Sequence, residues 1–239
     1  MFGWFKKKQP PQTVTEAQPQ SRSLQAEMSG LLTAHGLNAQ TTNGWTYVDG
    51  DFPLLSAYCR PSGSSSANMH QLDFELKLSA DRTIVESYAG WGKDENAAIG
   101  QGLFKFCSGA FHVFLSAFWN HHEPDQVEIE RWTIGGQPWD AYTSALISNM
   151  SDGQTAGVPD DYVEILRQAV SVLPLDRRDH WISIYFGLVG GEATIDGRLD
   201  NDPSPELTEA VRSMAWPPAE GFYSQRQFIL LRPSAELTS

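Results

Sequence analysis

Leu72, Phe74, Leu76 and Leu78 are apolar, and Asp73, Glu75 and Lys77 between them are charged. A period of two puts each set on its own face of an extended chain, so the segment predicts a half-buried strand. "SADR" turns the chain and "TIVESYAGW" returns it, completing a hairpin. Further strands are expected in "GWTYVDGDFPLLSAYCRPS", broken at Asp49-Gly50, in "QVEIERWTIGG" and in "FYSQRQFILL". "WDAYTSALISNM" fits strand or helix and is read as strand. "HWISIYFGLVGGEATIDGRL" predicts a second hairpin, turning at Gly190-Gly191.

Helical spacing recurs as well. Leu24, Met28, Leu31 and Leu32 follow a cap at Ser21 or Ser23, with Gly36 as the stop. Tyr162, Ile165, Leu166, Ala169 and Val170 follow Pro159, Asp160 and Asp161, a favourable helix start. Ser204 caps a helix with Pro205 at its first position and Leu207, Val211 and Met214 on one face. The longest such segment is "GWGKDENAAIGQGLFKFCSGAFHVFLSAFWNHHE", residues 90–123, with Asp94 as its cap. Ile99, Leu103, Phe106, Ala110, Phe114 and Ala117 line one face, and Phe104, Phe111, Leu115 and Phe118 another. So wide an apolar circumference predicts a helix surrounded by protein. Gly102 and Gly109, with Ala98 and Ser116, mark a third side where a neighbour can approach closely.

Strands outnumber helices and neighbours pair through hairpins. The expected class is α+β, with a largely antiparallel sheet packed around that long central buried helix. Hairpin–helix–strand units near 70–134 and 180–232 suggest a pseudo-repeat at the level of pattern, with negligible residue identity. No linker interrupts 21–239, which is expected to form one α+β domain. Residues 1–20, rich in Gln, Pro, Thr and Ser from Gln9 onward, read as a disordered tail and linker.

The glycine-opened segment has three rival readings. A phosphate loop needs G-x-x-x-x-G-K-[ST], but Lys93 precedes Asp94 with no neighbouring hydroxyl, and G-x-G-x-x-G fails at Glu95. A membrane span is interrupted by Gln101, Lys105, Ser108, His112 and Ser116, each polar group costing about 1–3 kcal/mol or more at mid-depth. For a metal, His112 and His121 fall on opposite helix faces and His121 and His122 diverge, so the i, i+4 zinc geometry is missing. Histidines in a last turn interact favourably with the helix's negative end. No metal and no cofactor is therefore expected.

One polar feature remains. Gln101, Lys105, Ser108 and His112 are spaced i, i+4, i+7, i+11 and form a single stripe on a continuous helix. The stripe either faces solvent or lines a cleft where Lys105 and His112 meet a ligand, with Glu86 or Trp91 nearby.

Composition narrows the classes. The chain has 239 residues, enough for a sizeable core, and a net charge of -12. Lys6, Lys7 and Lys8 lie in the tail with Glu16, leaving 14 basic and 28 acidic side chains after residue 20. Such a surface repels phosphate backbones, so nucleic-acid binding is not expected, whereas a protein partner with a basic surface is permitted. Cys59 and Cys107 form no disulfide framework, which fits a reducing, cytoplasmic setting. The start "MFGWFKKKQPPQ" lacks the order of a signal peptide. Phe2, Trp4 and Phe5 beside three lysines give residues 1–8 weak affinity for an anionic membrane surface, about 1 kcal/mol per lysine.

The segment "ESYAGWGKDENAAIGQGLFKFCSGAFHVFLSAFW", residues 86–119, resembles an uncharacterised bacterial family, domain of unknown function family 6348. The resemblance implies a soluble bacterial protein. It supplies no catalytic residues to carry over. The chain is thus open to three functional readings: a non-enzymatic protein-binding module similar to immunity proteins that neutralise toxins, a small-ligand binder or enzyme using the polar stripe, and a peripheral membrane protein held by residues 1–8.

Overall fold

The structure is a computed structural model. It describes residues 26, 29–30, 33–34, 39–42, 45–48, 53–61, 69–92, 95–120, 122–145, 147–150, 161–189, 192–215 and 222–235. The tail 1–20, His121, and the turns expected at Asp49-Gly50 and Gly190-Gly191 lie outside the described residues.

The chain is α+β, and every strand pairing is antiparallel. One sheet has five strands in sequential order: β1 (Ala39–Thr42), β2 (Trp45–Val48), β3 (Pro53–Pro61), β4 (Met69–Ser79) and β5 (Arg82–Trp91). The alternation expected from Leu72 to Leu78 is β4, and its even positions are buried. A helical run then crosses to the second sheet. It comprises α1 (Glu95–Phe106), a π turn (Cys107–Phe111) and α2 (His112–Trp119). Asn120, at φ 53°, ends it in the left-handed conformation, its N–H reaching the Leu115 carbonyl.

The second sheet has seven strands. β6 (Val127–Ile134) and β7 (Gln137–Ser144) turn at Gly135-Gly136, whose φ angles of 58° and 77° suit glycine in a two-residue hairpin. β8 (Ile147–Met150), β9 (His180–Val189), β10 (Glu192–Leu199), β11 (Asp202–Pro203) and β12 (Phe222–Pro233) complete it. Its order is β11-β10-β9-β12-β7-β6, with β8 paired to β12. The segment that fitted either strand or helix is strand, split between β7 and β8 where Ser144 turns inward. Ser144 Oγ accepts from the Phe228 amide, and the Ser144 carbonyl accepts from Gln227.

Two cores flank this second sheet. On one face, Ile182, Ile184, Ile229 and Leu231 pack with α3 (Tyr162–Ser171) and α4 (Pro205–Arg212). The cap of α4 forms as its sequence suggests, Ser204 accepting from the Leu207 amide with Pro205 first in the helix. On the other face, Trp181, Phe228 and Leu230 share a core with the helical run and with Leu72, Phe74 and Leu76 of β4. Phe106 stacks on Phe74, centroids 4.0 Å apart, and Phe114 meets Trp181 edge-on at 6.2 Å. Each such buried side chain contributes about 1.5–3 kcal/mol.

Three expectations need correction. The strands divide into two sheets, because the helical run leaves β5 and delivers β6 elsewhere. The two hairpin–helix–strand units are not equivalent: β6 joins a different sheet from β4 and β5, whereas β12 pairs with β9 of its own hairpin. The helical run is not enclosed all round. Its second half is buried from Val113 to Ala117, but in α1 Phe104 is 69% exposed, with Ala97, Gly100 and Gln101 also outward. Among the described strands, β4 and β5 lie under α1, and its outward side is exposed at Phe104.

Close approach explains two glycines. A Cβ on Gly102 would lie 2.9 Å from the Leu72 methyls, and one on Gly90 would overlap the Ala98 carbonyl. Gly100 faces open space. Gly90→Ala is therefore expected to cost about 1–3 kcal/mol, while Gly100→Ala should gain roughly 0.5–1 kcal/mol. Urea unfolding of the two variants checks the contrast, and equal midpoints would contradict the packing of α1 on β5.

Candidate functional site

Among the described residues β5 is the last strand of its sheet, so its outward backbone groups have no strand partner there. In an antiparallel strand these groups belong to alternate residues, here the odd ones. Side chains from three elements reach them. Asn201 Nδ2 donates to the Thr83 carbonyl, and Asn201 Oδ1 accepts from the Val85 amide at 2.9 Å. Arg226 Nη1 donates to the Ser87 carbonyl, Lys105 Nζ donates to the Ala89 carbonyl at 2.8 Å, and Gln101 Oε1 accepts from the Trp91 amide at 2.7 Å. The even residues point inward, and Ile84 and Tyr88 are core. Glu86 occupies the same phase and is 5% exposed.

The polar stripe is thus divided by its surroundings. Gln101 and Lys105 close the β5 edge. Burial lowers the Lys105 ammonium's pKa, and the Arg226 charge lowers it further. Ser108 donates to the Phe104 carbonyl one turn back. His112 lies beyond the π turn, which inserts about one residue and rotates the next helical segment by roughly 100°. It faces Glu123, Nδ1 to Oε2 being 3.7 Å. His122 contacts the Val127 carbonyl at 2.7 Å. The Cys107 thiol within the π turn is pushed up to about 12 by burial and stays protonated. Among the described residues, no group of His, Cys, Asp and Glu is placed to hold a metal.

A cleft of about 200 Å³ opens where β5 meets the inner face of the second sheet. Register places its floor. Asp196, Tyr185 and Arg226 form one cross-strand row on β10, β9 and β12, and Arg198, Ser183 and Phe228 form the next. Val85, Glu86, Ser87 and Asn201 make the opposite wall, with Trp181 at the base. Glu86 Oε1 accepts from Trp181 Nε1 at 2.7 Å, while Oε2 lies 3.8 Å from Arg226 Nη1, too long for a hydrogen bond. Burial raises the Glu86 carboxyl's pKa and outweighs the opposing pull of Arg226 and the Trp181 bond. Arg226 sits over the Tyr88 ring, 4.9 Å from its centroid. Arg198 Nε bonds Asp196 at 2.7 Å.

One end of the cleft is pinned by a turn in left-handed backbone, Asp200 at φ 52° and Asn201 at φ 76°. Asp200 accepts from the Trp181 amide, contacts buried His180 at 2.8 Å and pairs with Arg82 of β5 at 2.7 Å. Burial works to raise the Asp200 carboxyl, but the His180 and Trp181 bonds with Arg82 together hold it below the usual carboxylate range. Sequence reasoning missed Arg226, Arg198, Asp196 and this turn. The available signal was Glu86, a charge in the buried phase of an alternating strand.

Fold and cleft define an α+β protein of two antiparallel sheets, joined at the closed edge of one and carrying a polar recess at the joint. A model described as a family of unknown function, DUF6348, matches residues 40–233, and the chain belongs to that family. No curated protein and no solved structure gives a significant match. Among the described residues, no helix is long and apolar enough to cross a membrane.

Asn201→Gly keeps the positive φ and removes only the amide, so a loss of about 1 kcal/mol is expected in urea unfolding. The stability Asp200 contributes is fully present above about pH 4 and lost as pH falls through its lower folded value. Asp200→Asn should flatten that acid limb. An unchanged limb would show that the turn does not hold the two sheets together.

Proposed function

We propose that the protein is a binding module that holds a small polar ligand in the cleft between β5 and the second sheet. The observation that carries this reading is Glu86: a buried carboxyl with one oxygen on Trp181 and the other, among the described residues, meeting only the Arg226 guanidinium at 3.8 Å, beside a recess that also contains Arg198. A charged group taken out of water costs several kcal/mol unless it is well paired. Closing the β5 edge needs no such group and a neutral acceptor would serve the Trp181 indole, whereas ligand recognition gives a carboxyl at this place a use. The helical run Glu95–Trp119 serves as the spine that brings the β5 wall of the cleft against the second sheet.

A second reading, a protein-binding module with a basic partner, is supported by the charge of -12 and by outward Trp91 and Phe104, 49% and 69% exposed. An acidic surface speeds encounter with such a partner.

Thermal-shift titration against a panel of small acidic, basic, zwitterionic and neutral metabolites tests the first reading. At least one is expected to stabilise the protein, by about 2–3 kcal/mol near 100 times its Kd. Ser183→Phe, which fills the floor, should abolish that shift. A panel without a hit, together with a protein partner captured by the wild type and released by Phe104→Ser, would replace the cleft with the second reading.

A further inference from the structure

Three features of the cleft specify what it accepts. First, two arginines line it. Arg198 and Arg226 stand on β10 and β12, on either side of β9 and one row apart, so their backbones are roughly 12 Å apart, two strand spacings across and two residues along. Both border the same recess as Ser183, which is 8% exposed on the floor. Second, the two differ in how fully they are used. Arg226 is engaged by the Ser87 carbonyl and the Tyr88 ring. Arg198 is held by Asp196 through Nε alone, and among the described residues its η nitrogens are unpaired. Third, among the described residues Glu86 Oε2 meets only Arg226, at 3.8 Å and beyond hydrogen-bond length, although its partner oxygen is fixed by Trp181.

Resting on the reading of the cleft as a ligand site, we propose that it takes a small organic carboxylate. The ligand's oxygens lie between Arg226 and Arg198, and Glu86 in its acid form donates to them from Oε2. A carboxylate offers two coplanar acceptors that a guanidinium fork matches, and bonds of this kind are roughly twice as strong as neutral ones. An ionised Glu86 would instead repel the ligand and satisfy Arg226 itself.

The surroundings favour the acid form. Facing Glu86 are Tyr88 on its own strand, Trp181 and Tyr185 on β9, Asp196 and Arg198 on β10 and Arg226 on β12; Lys105 on α1 lies beyond, held at the Ala89 carbonyl. Burial is the largest influence and disfavours the charge, with Asp196 acting in the same direction. Ligand affinity therefore falls as pH rises through the Glu86 titration.

Isothermal titration of the full chain with succinate, acetate and inorganic phosphate, at about pH 5 and about pH 8, tests this. Succinate or acetate is expected to bind, roughly tenfold tighter at the lower pH, and Arg198→Met should weaken binding by roughly tenfold. Arg198 is exposed, so this variant is expected to fold. Glu86→Gln keeps an acceptor for Trp181 and a donor for the ligand, so it should bind with the pH dependence removed. Binding of phosphate without either carboxylate, affinity indifferent to Arg198→Met, or no carboxylate binding by the folded protein would each overturn the proposal. If a neutral or basic metabolite still stabilises the protein and Ser183→Phe blocks it, the cleft remains a ligand site and only the carboxylate assignment fails.

Discussion

Among the described strands β5 ends a sheet without ending the core, so its outward amides and carbonyls require partners that no described strand supplies. Leaving them bare would template unwanted pairing. The chain meets this requirement with four side chains, Asn201, Arg226, Lys105 and Gln101, drawn from the far sheet and from α1. Two of them, Asn201 and Arg226, also tie the five-stranded sheet to the seven-stranded one. Closure and attachment thus share interactions, and the cleft is the space left where side chains bridge what backbone would otherwise fill.

That arrangement has an electrostatic consequence. A side-chain bridge admits charged groups to a place where a strand pairing would not. Arg226 enters to reach the Ser87 carbonyl and brings its charge against Tyr88 and towards Glu86. Asp200, on the turn that positions Asn201, carries the opposite charge and spends it on Arg82 and His180. One carboxyl is held ionised by its partners, the other is pushed towards its acid form by burial, and only the second faces the recess.

Much of the fold was legible because period and punctuation act locally. The β4 alternation, the Ser204-Pro205 helix start and the glycine turn between β6 and β7 each arise from a few adjacent residues. The division into two sheets was not legible, since nothing in "TIVESYAGW" says whether a strand or side chains will meet its outer edge. The π turn left no mark in "FCSGAF", yet it separates His112 from Gln101 and Lys105 and dissolves the stripe that an ideal helix would present. Arg198 and Arg226 are 28 positions apart, and only the pairing of β9 with both β10 and β12 brings them over one floor. Glu86 alone was visible in the sequence, as a charge where the pattern called for an apolar residue.

Amide hydrogen exchange along β5 tests the closed edge most directly. Val85 and Trp91 point their N–H groups away from β4, towards Asn201 and Gln101. If these side chains close the strand, both amides exchange slowly, on the scale of the β4-facing amides of Ile84 and Tyr88. Exchange of Val85 and Trp91 at the rate of bare backbone, with Ile84 and Tyr88 still protected, would mean that the edge is open and that the joint between the sheets is held by something else.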